Sequence, residues 1–315
     1  MPPAPSVFCN FKIEKTASIS LIIGKVYIPW EPTLQAMEQI SDPELRSLIV
    51  KVRAHTGIDL GQYKDSYITR RLSTRMKSLG APSYRKYSAL LDTAPGEYEK
   101  VVDAFTINVS EFFRDKEAFK VLKEKVFPAM IAEKKSSGRR SLRIWSAGCA
   151  CGEEIYSISM ILNDLLGSDY SQFSLRLYAT DIDDACMLRA KDGFYDPASL
   201  KNVDKKYLAR FTHGAPDGRL AVNDDVKRNV TFRRFDLIDG GSFGNFFDLI
   251  LCRNVMIYFS DSQKSKLIGA FLNSLNSGGY LVIGKTETLT GDTRNAFLAV
   301  NSIERIYQKP ARSLG

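Results

Sequence analysis

The stretch SAGCACGEE, residues 146–154, joins an apolar run to an amphipathic one. The preceding LRIWSAG is a short β-like run, and the following EEIYSISMILNDLLG repeats apolar residues at helical spacing. A strand, a tight turn and a helix in this order open a doubly wound α/β sheet, in which ligands bind beyond the carboxyl ends of the strands. Gly148 and Gly152 lack a Cβ, so the backbone of the turn can approach a small molecule closely.

The chemistry of this turn narrows the class of ligand. The turn is neither G-x-G-x-x-G nor a Walker loop, and glutamates at the helix start oppose a phosphate there but suit a positive amino group. The next β-like run ends in YATDID, where Asp181 is placed to accept hydrogen bonds from ribose hydroxyls. These features predict a nucleoside that carries a cation and no phosphate, a description that S-adenosylmethionine meets.

Two cysteines in the same turn raise a different interpretation, a metal or redox site. Cys149-x-Cys151 lacks the second pair or the histidines that zinc needs, and it is one residue short of the C-x-x-C redox spacing. We therefore predict no metal. The chain has five scattered cysteines and no apparent secretory signal, so we expect no disulfide framework and a cytoplasmic, reducing location.

The composition is that of a soluble globular protein of one large or two ordinary domains. The 315 residues are 44% hydrophobic and 25% charged, with a net charge of +8. The positive charge favours an acidic partner but does not separate nucleic acid, an anionic membrane surface and an acidic protein. The apolar run ISLIIGKVYIPW is shorter than the roughly 20 residues that a bilayer requires, so no membrane insertion is expected.

Patterns along the chain predict a tail, a helical domain and an α/β domain. Residues 1–40 are a tail of unknown role, and residues 41–135 contain only helical patterns. From 136 to 315 strands alternate with helices, which predicts a mostly parallel sheet with helices on both faces. Gly and Pro turns mark a small antiparallel β-subdomain at about 211–232.

Five stretches of the chain resemble the CheR family of chemotaxis receptor glutamate methyltransferases, within residues 58–308. They are NVSEFFRDKEAF (108–119), WSAGCACGEEIYS (145–157), ATDID (179–183), AKDGFY (190–195) and FDLILCRNVMIYF (247–259). The resemblance implies a Rossmann-like domain for S-adenosylmethionine, an N-terminal all-helical domain and a small β-subdomain. It also implies methyl transfer to receptor glutamates in chemotactic adaptation, giving γ-methyl esters and S-adenosylhomocysteine.

The resemblance also assigns site residues. The cofactor-binding set that it implies is Asn108, Ser110, Arg114, Gly148, Glu154, Asp181, Asp236, Leu237, Arg253 and Asn254. Arg114 and Tyr258 are the candidate catalytic residues, which would orient the acceptor carboxylate. Asp236 stands where the family more often has Asn. The Cys-Ala-Cys turn and GKTETL (284–289), where the family often has Gly-His-Ser/Thr-Glu, are further departures.

A basic helix and the β-subdomain are the candidate partner surfaces. Arg70, Arg71, Arg75 and Lys77 occur at helical spacing, which is typical of a solvated basic face. The resemblance favours a sharper hypothesis, a docking surface for the acidic helical region of chemotaxis receptors. A receptor C-terminal peptide is the candidate ligand of the β-subdomain, and we expect a monomer.

Two other functions compete with this hypothesis. Amino-directed nucleic-acid methyltransferases carry an Asp/Asn-Pro-Pro-aromatic motif after the fourth strand, whereas this chain has CRNVMIYF there, so no nucleic acid is expected. A catalytically weak scaffold or a signalling module that binds S-adenosylmethionine is the second alternative, because a fold does not guarantee activity. The altered turn leaves that alternative open.

Overall fold

The computed structural model describes residues 40–106, 108–239 and 242–311, so the predicted tail lies outside them except for Ile40. The described part of the chain starts with a helical bundle, whose helices are α1 Pro43–Thr56, α2 Asp65–Ser78, α3 Tyr84–Leu91 and α4 Glu97–Phe105. Local signals set the bounds of α1. The Asp42 carboxylate accepts hydrogen bonds from the N–H groups of Glu44 and Leu45, and Gly57 ends the helix in the left-handed conformation.

A seven-stranded sheet follows the bundle in the order β6-β2-β1-β7-β8-β10-β9. Its strands are β1 Ser141–Ala147, β2 Ser174–Asp181, β6 Val230–Arg234, β7 Phe247–Cys252, β8 Leu275–Ile283, β9 Leu298–Asn301 and β10 Ile306–Gln308. The first five of these run parallel, and β10 and β9 run antiparallel at one edge. The predicted α/β class with a mostly parallel sheet is confirmed.

Helices cover both faces of the sheet. They are α5 Lys116–Val121, α6 Phe127–Ser136, α7 Glu153–Leu166, α8 Asp184–Asp192, α9 Lys205–Phe211, α10 Asp224–Lys227 and α11 Asp261–Ser274. Side chains alternate along β7, so Ile250 and Cys252 pack on the side of the helical bundle and α11, whereas Leu249 and Leu251 pack on the side of α5, α6 and α7. The two hydrophobic cores therefore share one sheet.

Two of the helices within the predicted helical domain belong to the second core. Helix α6 packs on the sheet, and Lys134 Nζ lies 2.7 Å from a carboxylate oxygen of Asp248 in β7. The predicted helical domain, residues 41–135, thus includes two helices that cover the sheet. The sequence pattern did not separate these helices from the bundle, because helical periodicity identifies an apolar face but not the element that it contacts.

The small antiparallel sheet has the order β3-β5-β4. Its strands are β3 Phe194–Tyr195, β4 Thr212–Gly214 and β5 Leu220–Val222. It starts before the predicted range 211–232, and Val230 onward belongs to the large sheet instead. A strand of two residues such as β3 shows no alternation, which explains why the sequence pattern did not identify it.

Candidate active site

Two glycines and the end of β2 shape the turn after β1. The backbone φ angles of Gly148 and Gly152 are 76° and 90°, in the left-handed region that favours glycine. A Cβ on Gly148 would lie 2.5 Å from Val255 Cγ2. The Gly148 N–H donates to the carbonyl of Thr180 over 2.8 Å. The turn therefore leaves a surface of bare backbone at the carboxyl edge of the sheet.

Two adjoining cavities lie at this edge and share a wall formed by Gly148, Ala150, Asn254 and Val255. The lining of the first, here called the large lobe, includes Tyr63, Asn108, Asp181, Asp236, Leu237 and Tyr258. The lining of the second, here called the charged lobe, includes Ser110, Glu111, Arg114, Phe119, Glu154 and Arg253. The fold thus brings every predicted cofactor-binding residue, and Tyr258, to one lobe or the other.

Asp181 ends β2 and connects the turn to the large lobe. Its Oδ2 accepts from the N–H of Ala150 over 2.8 Å, and its Oδ1 accepts from the N–H of Asp183 over 3.1 Å. Burial raises the pKa of the Asp181 carboxyl, and these main-chain donors oppose the rise. Nearby, the Asn108 amide donates to Asp183. One carboxylate thus orients the turn while it faces the cavity.

Asp236 follows β6 and lies on the apolar side of the same lobe. Its Oδ1 accepts from the N–H of Ile238 over 2.8 Å, and the adjoining Leu237 is buried. Burial raises the pKa of the Asp236 carboxyl to about 6. This end of the large lobe therefore combines an apolar wall with one carboxyl group that titrates near neutral pH.

Glu154 and Arg253 form a charged network beside the shared wall. Glu154 accepts from the Ser146 hydroxyl over 2.7 Å and from Arg253 Nη1 over 3.3 Å. Arg253 Nη2 also donates to Asp115 Oδ2 over 2.7 Å and to the carbonyl of Arg114 over 2.8 Å. The Arg253 side chain is only 3% exposed, so it fixes the segment before α5 against the turn.

The Arg114 side chain is held less tightly than that of Arg253. Its Nη1 donates to the carbonyl of Val109 over 2.8 Å, and the residue is half-buried at the charged lobe. Burial raises the pKa of the Glu153 carboxyl, and the Ser110 hydroxyl opposes the rise. The guanidinium of Arg114 carries five N–H donors, which leaves donors for a carboxylate ligand.

Helix α2 contacts Tyr258, which lines the large lobe. The ring centroids of Tyr67 and Tyr258 are 4.8 Å apart, and the guanidinium of Arg71 lies 5.2 Å from the centroid of Tyr67. The predicted catalytic tyrosine therefore touches the helix on which the basic docking residues were predicted.

The four basic residues of α2 do not form one exposed surface. Arg70 and Lys77 are exposed, and Arg71 is half-buried. Arg75 instead donates to both carboxylate oxygens of the buried Glu97, over 3.0 and 2.8 Å. Arg75 is thus committed to holding α2 and α4 together, and the docking hypothesis is corrected by leaving it out.

One cysteine pair forms a disulfide, although the sequence predicts no disulfide framework. Cys151 in the turn and Cys186 in α8 are joined by a disulfide, with Cα atoms 4.6 Å apart. Cys149 and Cys252 are buried and free. The paired residues are 35 positions apart in sequence and meet because both follow parallel strands at one sheet edge. Spacing along the chain does not reveal such a pair.

Several residues at the site carry no sequence prediction. Asp115 and Val255 lie inside stretches that resemble the CheR family, but the resemblance gives them no role. Tyr67 lies in the range that is predicted to be helical, also without a role. Glu287 lies in GKTETL, which was noted as a departure. The only feature of the sequence that points to them is that most lie within or next to the motifs named above. Their roles depend on contacts between segments that are distant in sequence, which the motifs do not reveal.

The lobes fit S-adenosylmethionine on three structural grounds. Gly148 lines both lobes with bare backbone, at a position where a Cβ would collide with Val255. Asn254 Oδ1 is buried at the shared wall and has no hydrogen-bond partner among the residues that the structure describes, so an acceptor is present for a ligand donor. Carboxylates line both lobes, Asp181 in one and Glu154 in the other, which suits ribose hydroxyls and an ammonium group.

Fold and site together define a Rossmann-like methyltransferase whose cofactor is S-adenosylmethionine. Two family models match the chain: the CheR methyltransferase SAM binding domain over residues 108–305, and the CheR methyltransferase all-alpha domain over residues 43–106. The chain belongs to the CheR methyltransferase family.

Curated relatives share most of their length with this chain. The chemotaxis protein methyltransferase of Vibrio parahaemolyticus is 37% identical over 260 residues, which cover 81% of this chain and 92% of that protein. The chemotaxis protein methyltransferase of Borreliella burgdorferi is 32% identical over 256 residues, 80% of this chain and 90% of that protein. Chemotaxis protein methyltransferase Cher2 of Pseudomonas putida is 36% identical over 240 residues, 75% and 86% respectively.

Two features are absent from the part of the chain that the structure describes. Within residues 40–106, 108–239 and 242–311, no helix combines the length and the apolar character that crossing a bilayer requires. The same ranges contain no group of three His, Cys, Asp or Glu side chains that could hold a metal ion.

Proposed function

We propose that the protein transfers the methyl group of S-adenosylmethionine to glutamate side chains of chemotaxis receptors. The observation that carries this proposal is the pair of lobes that meet at Gly148 and Asn254. Asp181 and Asp236 in the large lobe suit an adenosine, and Arg114 and Glu154 in the charged lobe suit an amino acid. The family implies the receptor glutamate as acceptor.

The cofactor supplies an electrophilic methyl group on a sulfonium. A glutamate side chain is ionised at neutral pH and already nucleophilic, so the protein needs no strong general base. Its residues align the groups and exclude water. Arg114 would orient a carboxylate, Glu154 would accept from the ammonium group of the cofactor, and Asp181 would accept from its ribose hydroxyls. Tyr258, which lines the large lobe, would guide the acceptor toward the shared wall.

Methylation of candidate receptors followed by mass spectrometry tests the function directly. We expect modified glutamates, and base treatment should release methanol from labelled receptor because γ-methyl esters are base-labile. RNA that is incubated with methyl-labelled cofactor under the same conditions should stay unlabelled. A chain that binds S-adenosylhomocysteine but leaves every receptor unmethylated would favour the scaffold alternative.

We further propose two receptor contacts. Arg70, Arg71 and Lys77 on α2 would meet the acidic helical region, with Arg70 and Lys77 the exposed members of this set. Phe194 on the small sheet is 39% exposed and has the Arg219 guanidinium 5.1 Å and Lys227 Nζ 5.8 Å from its ring centroid. An aromatic ring flanked by cations suits a receptor C-terminal peptide, whose carboxylate they would attract. The protein would act as a cytoplasmic monomer.

Docking through α2 predicts a salt-dependent rate. We expect kcat/KM for receptor methylation to fall about tenfold as salt rises, since screening weakens long-range attraction. The double variant Arg70→Ala/Lys77→Ala should show a lower kcat/KM and a flatter salt dependence. The matched control is Arg139→Ala/Arg140→Ala, at the amino end of β1 and away from the lobes. Equal salt slopes in both variants would contradict docking through α2.

The carboxyl of Asp236 predicts pH-dependent cofactor binding. Burial is the main cause of its pKa of about 6; Asp239 and Asp59 also raise it, and Arg234 lowers it. Below pH 6 the protonated group both donates to and accepts from the adenine edge, whereas above pH 6 it only accepts. The Kd for S-adenosylhomocysteine should therefore rise with pH, by at most about tenfold per unit above the pKa.

Calorimetry across this range checks the prediction, and Asp236→Asn is the control. The amide offers a donor and an acceptor at every pH, so the variant should bind with an affinity that changes little between pH 5 and pH 8. If the variant keeps the same pH slope as the unsubstituted chain, another group is responsible.

A further inference from the structure

A buried carboxylate lies behind the shared wall of the two lobes. Glu287 follows β8 and is 5% exposed. Its Oε2 accepts from the N–H groups of Asn254 and Gly284, over 3.1 and 2.5 Å, and its Oε1 accepts from the N–H of Ile257 over 3.1 Å. Burial raises the pKa of this carboxyl, and the main-chain donors oppose the rise. It lines neither lobe.

These hydrogen bonds hold the segment 254–258, here called the Asn254 turn. Asn254 has a φ of 62°, a left-handed conformation that residues other than glycine rarely adopt. Asn254 and Val255 form part of the wall common to both lobes, and Tyr258 lines the large lobe. The unusual backbone thus occurs where the two lobes meet.

Gly284 allows Glu287 and the Asn254 turn to come this close. A Cβ on Gly284 would lie 2.7 Å from the Asn254 nitrogen and 2.7 Å from Glu287 Oε2. The start of GKTETL therefore brings bare backbone to the Asn254 turn, and its glutamate then caps that turn. The contact joins the strand β8 to the loop after β7, which are separated by the whole of α11.

We propose that Glu287 is a positioning residue for methyl transfer. By accepting the N–H groups of Asn254 and Ile257, it fixes the Asn254 turn so that Asn254 faces both lobes and Tyr258 faces the acceptor. The inference rests on the proposed function and deepens it. Glu287 acts through the turn and touches neither cofactor nor acceptor.

Glu287→Gln tests the hydrogen bonds with little change in volume. Each carboxylate oxygen accepts at least one main-chain N–H. The amide nitrogen of glutamine is itself a donor, so at either position it would lose that hydrogen bond and oppose the main-chain N–H. Glu304 offers a matched control, because it is 6% exposed and pairs with Lys285 Nζ at 3.1 Å, outside the Asn254 turn. Glu304→Gln should therefore behave like the unsubstituted chain.

Calorimetry with S-adenosylhomocysteine and steady-state methylation of a receptor are the readouts, both on the full chain. For Glu287→Gln we expect the Kd to rise about tenfold at a stoichiometry near one, and kcat to fall about tenfold. The receptor KM should stay the same, because the proposed docking residues, on α2 and on the small sheet, lie outside the Asn254 turn. Glu287→Asp keeps both carboxylate oxygens, so its affinity for S-adenosylhomocysteine should lie between those of Glu287→Gln and the unsubstituted chain. If Glu287→Gln does not fold, Glu287→Asp replaces it in the test.

The outcomes separate the proposals. An unchanged Kd with a lower stoichiometry means that the substitution only reduces the folded fraction, and it overturns the positioning role. An unchanged Kd and kcat in Glu287→Gln also overturns the positioning role. If Glu287→Gln does not fold, the same result in Glu287→Asp overturns it. If the unsubstituted chain does not bind S-adenosylhomocysteine, the proposed function fails and the positioning role fails with it.

Discussion

Arg114→Ala is expected to lower receptor methylation by at least about 100-fold while the protein stays folded. The guanidinium lines the charged lobe, and its hydrogen bond to the carbonyl of Val109 leaves further donors for a carboxylate. Among the described residues that line that lobe, Arg253 is the other cation, and it already pairs with Asp115 and Glu154. The planar fork of Arg114 is therefore the group placed to align a carboxylate.

The fold should survive because the main chain of Arg114, and not its side chain, joins the buried network. Its carbonyl accepts from Arg253 Nη2, and alanine keeps that carbonyl. The unfolding temperature should therefore change by only a few degrees at most. Initial rates with labelled cofactor, measured beside thermal unfolding, check both parts of the prediction.

Arg114→Lys and Arg139→Ala complete this test. Lysine keeps the charge but loses the bidentate fork, so its rate should lie between those of the alanine variant and the unsubstituted protein. The Arg139 side chain is 72% exposed at the other end of β1, and removing it should not change the rate. Turnover of Arg114→Ala near that of the unsubstituted chain would remove Arg114 from the mechanism.

Local patterns were sufficient to predict the α/β class and the position of the glycine turn. A strand, the turn and α7 follow one another within 26 residues, Ser141–Leu166, so periodicity and two glycines identify them. The carboxyl-edge rule then predicts that Asp181 lies near the turn, and it accepts from Ala150. The resemblance supplied the other predicted cofactor-binding residues and Tyr258.

Contacts between distant segments could not be predicted in this way. The pairing of Arg253 with Asp115 joins residues 138 positions apart, and the Glu287 contacts with the Asn254 turn cross α11. In the sequence Arg75 cannot be distinguished from a surface arginine, because its partner Glu97 lies on another helix. Each depends on which faces pack together, and hydrophobic periodicity determines only that a face is buried.

Gly148→Ala is expected to weaken the binding of S-adenosylhomocysteine by about 100-fold or more. Alanine at a φ of 76° is strained by about 1–2 kcal/mol. The new Cβ would also lie 2.5 Å from Val255 Cγ2, an overpacking that costs about 1–3 kcal/mol. Because Gly148 and Val255 both line the two lobes, any shift that relieves this contact changes the shape of the site.

Two further variants separate the backbone strain from the clash. Gly80 has a φ of 64°, and a Cβ on it would meet no atom of the described residues within 4 Å, so Gly80→Ala carries the strain alone and should leave binding unchanged. In Gly148→Ala/Val255→Ala the colliding methyl groups of the valine are gone, and binding should recover relative to the sum of the single effects in a double-mutant cycle. Additive effects, with no recovery, would mean that the collision with Val255 is not the cause of the weaker binding in Gly148→Ala.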